Sequence, residues 1–249
     1  MIDIRSMSPL EYLRLEKAAA DCGFEMTAVL HGPGLQLRSA HFPETVLVHV
    51  AGEETFAVSA SDPTILDLTA VGQPLAVVGY GELYAALRAA AAHARTKPNR
   101  VADDFKKKTA ELPKITEAER LVVERIGQDI FRSALLDYWQ GRCCLTGLDI
   151  PELLRASHIK PWAACVSDDE RLDVFNGLLL APHVDALFDG GWISFSDDGR
   201  VLISEALPAD ASACLGVTPV WTVVNLKARH KQYLAFHRQH KLRGMRCPS

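Results

Sequence analysis

The sequence contains no apolar run approaching the roughly 18 residues that a membrane-spanning helix requires. Its opening stretch, MIDIRSMSPLEYLRLEK, meets charge too early for a secretory leader. A cytoplasmic protein with no membrane partner is therefore expected. The six cysteines, at 22, 143, 144, 165, 214 and 247, lack the spacing of a disulfide framework, so reduced thiols are expected. There is also no strong excess of one charge: the formal net charge of −4 excludes a chain that coats nucleic acid along its whole length. No repeat is visible, and low complexity is confined to one alanine-rich segment.

Charge is nevertheless distributed unevenly. From Asn225 onward Lys227, Arg229, Lys231, Arg238, Lys241, Arg243 and Arg246 occur without one Asp or Glu, and His230, His237 and His240 are interleaved. Such a block favours phosphate contacts, which position a nucleic acid without reading its sequence. A solvated helical face is the alternative.

Local signals divide the chain of 249 residues into two parts. Ser8, Pro9 and Glu11 form a capping box with proline at the first helical position, and Gly23 closes a helix of about 13 residues. EMTAVLH, LQLRSA, TVLVHVA and TFAVSA then read as strands of an antiparallel sheet, separated by turn residues. QPLAVVGY leads into the helix former GELYAALRAAAAHA. The expectation is an α+β module over residues 1–95, a polar linker or exposed helix over 96–114, and a second module over 115–249. The role of the first module is read only by architecture, as target recognition or sensing.

The second module opens on another capping box, Thr116 with Glu119, followed by a long amphipathic helix ending near Gly141. Beyond it, RASHI is a short extended run stopped by Pro161. After a polar loop, NGLLLAP reads as a second strand, and Pro182 opens the helix HVDALFD, which Gly190 and Gly191 end.

This order, with C-x-x-TG, ASHI-x-PW, NGL-x-L and D-x-x-FD-x-G-x-I-x-F, resembles the HNH nucleases of the ββα-metal fold over roughly residues 125–205. The resemblance implies a metal-dependent DNA endonuclease, of the kind found among bacterial restriction and defence enzymes, that leaves a 5′-phosphate and a 3′-hydroxyl. His158 matches the general base. Asp185 matches a metal-ligand position that relatives often fill with histidine. Asn176 matches the central Asn that fixes the loop, and it joins the candidate ligands. Asp189, four residues after Asp185 on one helical face, is a ligand, a support for one, or a helix-end residue. His183 is offset from the ligand position.

A neutral imidazole suits activation of water, and a hard divalent ion, Mg²⁺ or Mn²⁺, suits the phosphate charge. Lys160, Lys227, Arg229, Lys231, Arg238 and Lys241 are the candidate nucleic-acid contacts. Two features depart from the family pattern. Ser157 stands where many relatives carry an acidic ligand, which leaves the metal to Asp185, water and substrate phosphate. Cys143 and Cys144 are adjacent with no second pair, so a structural zinc is not expected. An HNH scaffold that binds without turnover, or a nuclease for RNA or single strands, are the alternatives. An enzyme cutting both strands is expected to be a homodimer.

Overall fold

The computed structural model describes residues 7–70, 72–113 and 116–244. Arg246 and Cys247 lie outside the described residues. The chain divides into two compact units, Met1–Arg95 and Thr96–Ser249.

In the first unit, helix α1 (Pro9–Asp21) begins at the expected capping box: the Ser8 hydroxyl accepts from the Glu11 N–H, and the Ser8 N–H donates to the Glu11 carboxylate. Strands β1 (Met26–His31), β2 (Gly34–Arg38), β3 (Val46–Gly52), β4 (Thr55–Ala60) and β5 (Leu75–Val78) form one antiparallel sheet in sequential order. Alternation on β3 buries Val46, Val48 and Val50. Leu15 and Ala18 of α1, with Leu83, Leu87 and Ala91 of α2 (Tyr80–Arg95), share the core with them.

The second unit begins earlier than the sequence suggests. Within the segment expected as a linker or exposed helix, Pro98–Thr109 is helix α3, and its Val101, Ala102 and Phe105 are buried in the core of this unit. These apolar positions recur at helical spacing within a highly charged segment, so one stripe supplies the packing and the lysines face outward. Helix α4 (Glu117–Tyr138) follows the Thr116 capping box and packs beside α3. Strands β6 (Arg155–His158) and β7 (Gly177–Leu180) form an antiparallel hairpin, with α5 (Asp168–Arg171) in the loop between them. Helix α6 (Pro182–Asp189) comes next, completing the expected strand, loop, strand, helix order. A small hairpin of β8 (Ile193–Phe195) and β9 (Val201–Ile203), then α7 (Ala209–Cys214) and α8 (His230–His240), finish the unit.

Glycine permits the tight join between α4 and the β6–β7 hairpin. A Cβ on Gly177 would meet the Phe131 and Leu135 side chains at 2.6 Å, and one on Gly127 would meet the Trp162 ring at 2.5 Å. A glycine inside a helix costs about 1 kcal/mol in propensity. Here it gives Trp162 a seat on α4.

Candidate active site

His158 is the last residue of β6 and pairs with Gly177 across the hairpin. Because no side chain rises from Gly177, Phe131 of α4 reaches the His158 ring and stacks on it, with centroids 3.8 Å apart and planes inclined by 14°. Trp162 meets the same imidazole edge-on at 5.6 Å. Nε2 donates to the carbonyl of Arg171 at 2.8 Å, because a carbonyl can only accept. That bond sets the tautomer and leaves the lone pair on Nδ1. Burial pushes the imidazole below its ordinary value, opposed in part by the Arg171 carbonyl, so the ring is neutral at pH 7.

Asn176 is fully buried between the loop ends. Its Oδ1 accepts from the Lys160 N–H at 2.8 Å, and Nδ2 donates to the carbonyls of Lys160 at 3.1 Å and Glu170 at 3.2 Å. Both ends of the amide are thus engaged by backbone. This supports the loop-fixing role, with Oδ1 already accepting one backbone N–H. By bonding residues on both sides of the loop, Asn176 also holds in place the segment that bears the Arg171 carbonyl.

Ser157 and Asp185 meet across the hairpin–helix junction. Ser157 lies close enough to the Asp185 carboxylate to favour its charged form. Burial raises the Asp185 carboxyl above the usual aspartate range, and Asp189 adds to the rise, whereas Ser157 and the Arg155 charge oppose it. Asp189 is exposed and lies 3.7 Å from the Lys241 ammonium. His183 is exposed on α6, tilted toward Trp221. No hydrogen bond joins His158 to Asp185 among the described residues.

Among the described residues no three His, Cys, Asp or Glu side chains converge into a preformed metal cage. A half-buried carboxylate with a second acid one turn away fits an ion that keeps much of its water and completes its shell with substrate phosphate, as Mg²⁺ does. It does not fit the closed four-ligand shell of structural zinc. The Cys143 sulfur instead accepts the backbone N–H groups of Thr146 at 3.3 Å and Ala181 at 3.2 Å.

The basic residues are placed differently from expectation. Lys160 is mostly buried, with its ammonium 2.6 Å from Glu170. Arg229 pairs with the buried Asp173 at 3.1 Å and lies over the Phe175 ring. Arg238 donates to the Phe195 carbonyl and to Asp197, both at 2.7 Å. Lys241 faces Asp189. Each of these four expected phosphate contacts has an acidic partner within the fold. Lys231 is exposed, and Lys227 is half-buried with its N–H donating to His230 Nδ1 at 3.0 Å. His230 and His237, counted with the basic block, are buried and neutral, each pushed down to about 4 by burial.

Sequence reasoning missed Arg171, whose carbonyl orients His158. Its guanidinium donates to the carbonyls of Cys165 at 2.8 Å and Trp162 at 3.3 Å and to Asp168 at 2.9 Å, which stitches the loop. Within a polar run of this kind no periodicity marks it out. Phe131 was legible only as a core position.

Compared with known proteins, residues 143–196 match the HNH endonuclease family. The matched stretch runs from the Cys143 turn through the β6–β7 hairpin and α6 into the β8–β9 turn. No curated protein matches the chain. No helix among the described residues is long and apolar enough to cross a membrane.

Proposed function

We propose, starting from the HNH endonuclease match of residues 143–196, that this protein is a metal-dependent endonuclease that hydrolyses phosphodiester bonds of DNA. The observation carrying the reading is the state of His158: a neutral imidazole, its Nε2 proton committed to the Arg171 carbonyl and its Nδ1 lone pair unshared. That is the form a general base needs near pH 7. His158 takes a proton from the water that attacks phosphorus in line with the departing 3′ oxygen. Phe131 and Trp162 prevent the ring from turning, and Asn176 and Arg171 fix the carbonyl that selects the tautomer.

Asp185, with Asp189 one helical turn on, would hold a divalent ion, Mg²⁺ or Mn²⁺, which when bound supplies positive charge to the phosphate and the leaving oxygen. Ser157 favours the charged form of Asp185 as a neutral neighbour rather than adding a negative ligand. The products are a 5′-phosphate and a 3′-hydroxyl, and the setting is bacterial restriction or defence.

Plasmid nicking in Mg²⁺ or Mn²⁺, stopped by a chelator and by Asp185→Asn, is the expected result. A preparation that cuts neither modified nor unmodified DNA contradicts the reading. The serine at position 157 favours one rival, a scaffold that binds DNA without turnover. Calorimetry with Mn²⁺ and uncleavable DNA separates the two, since the rival takes up no metal.

A further inference from the structure

The cations expected to face nucleic acid are mostly occupied, which raises the question of what receives the phosphate. A site with two neighbouring carboxylates repels a phosphodiester unless a cation stands beside them. Lys160 is held by Glu170, Lys241 faces Asp189, and Arg171 is spent on the loop. Arg229 and Arg238 are fixed by Asp173 and Asp197.

Arg155 differs from all of these. Side chains alternate along a strand, so Arg155 and Ser157 share one face of β6 while Ala156 and His158 share the other. β6 packs against α6, and both Ser157 and Arg155 act on the Asp185 carboxyl, so the shared face is the one turned toward α6. Arg155 is exposed, and its guanidinium makes no ion pair or hydrogen bond among the described residues, although its charge is felt at Asp185. Its strand partner is Leu180, the last residue before the turn into α6, so it stands at the mouth of the hairpin–helix junction. An unpaired guanidinium offers two parallel donors matched to the non-bridging oxygens of one phosphate.

We propose that Arg155 docks the phosphate of the substrate beside Asp185, and that the nucleic-acid backbone crosses the exposed β6–α6 junction rather than lying along α8. The proposal deepens the nuclease reading and rests on it. A serine at 157 gains a reason in this arrangement. An acid there would sit on the same strand face as Arg155 and compete with phosphate for its fork, whereas a hydroxyl does not draw the guanidinium in.

The test is fluorescence anisotropy of a labelled DNA duplex in chelator, using the full chain with His158→Ala so that nothing is cut. Adding Arg155→Ala should weaken binding about tenfold. It should also reduce the slope of log affinity against log salt by about 0.9, the loss of one phosphate contact. Arg155→Lys should restore the salt slope but not the full affinity, and Lys231→Ala is the surface control. Unchanged affinity and slope in Arg155→Ala, a loss no larger than that of Lys231→Ala, or no duplex binding by any of these proteins overturns the proposal. Cleavage by the unaltered chain is read separately. Binding through Arg155 without any cleavage rejects the nuclease reading alone, and cleavage with binding indifferent to Arg155 rejects only this one.

Discussion

Acidification should destabilise the second unit as pH falls from 6.5 toward 5, and two buried histidines set the magnitude. His237 lies flat against Phe188 at 3.9 Å, accepts from the Ser194 hydroxyl at 2.9 Å and donates to the Phe188 carbonyl at 3.0 Å. His230 sits among Tyr138, Trp139 and Phe175, with no partner for its Nε2 among the described residues. Both are pushed down to about 4 by burial, from an ordinary value of 6.5. The unfolded chain binds protons at these positions below about pH 6.5, whereas the folded chain does so only near pH 4. Stability is therefore complete above that window and falls as pH drops through it. At pH 5 each site costs about 2 kcal/mol relative to pH 8, and the pair about 4 kcal/mol.

The four tryptophans, Trp139, Trp162, Trp192 and Trp221, all lie in the second unit, so their fluorescence follows this unit in urea. With a slope of about 2 kcal/mol/M, the unfolding midpoint should fall by about 2 M between pH 8 and pH 5. His237→Gln lowers stability at both pH values but should remove about half of the difference between them. A midpoint independent of pH over this range, or an undiminished difference in the variant, would refute the reasoning.

The remaining predictions concern the site. Asn176→Ala strands the Lys160 N–H and two carbonyls in the interior, so it should cost about 3 kcal/mol in urea unfolding and lower the cleavage rate as the Arg171 carbonyl shifts. The acid limb of the rate–pH profile should fall below the ordinary histidine value of 6.5, because burial depresses His158; a limb above it contradicts the assignment. Ser157→Asp adds a second negative ligand beside Asp185 and should tighten Mn²⁺ binding without DNA on the order of tenfold by calorimetry, where the unaltered chain binds weakly.

The architecture was legible wherever local chemistry is decisive. The capping boxes at Ser8 and Thr116, proline at 9 and 182, and the stop at Gly190 placed α1, α4 and α6, and alternating β-formers placed the sheet. The hairpin and its helix were readable because Pro161 and Pro182 bracket them. The packing of helix α3 was not legible because the charge of its KKK run masks the apolar stripe through Val101 and Phe105. The acidic partners of the basic block were hidden for a different reason. Counting charge along a segment is blind to Asp173, Asp189 and Asp197, which folding brings to Arg229, Lys241 and Arg238. Likewise the orientation of His158 depends on a backbone carbonyl at Arg171, and a carbonyl leaves no trace in residue type.

The central claim, that His158 is the base, is tested most directly by single-turnover cleavage of a DNA plasmid in Mn²⁺ by the unaltered chain and by His158→Ala. Far-UV dichroism would confirm that both are folded. If the His158 imidazole takes the proton of the attacking water, its removal should slow nicking by at least about a hundredfold. Equal rates in the two proteins would contradict the account.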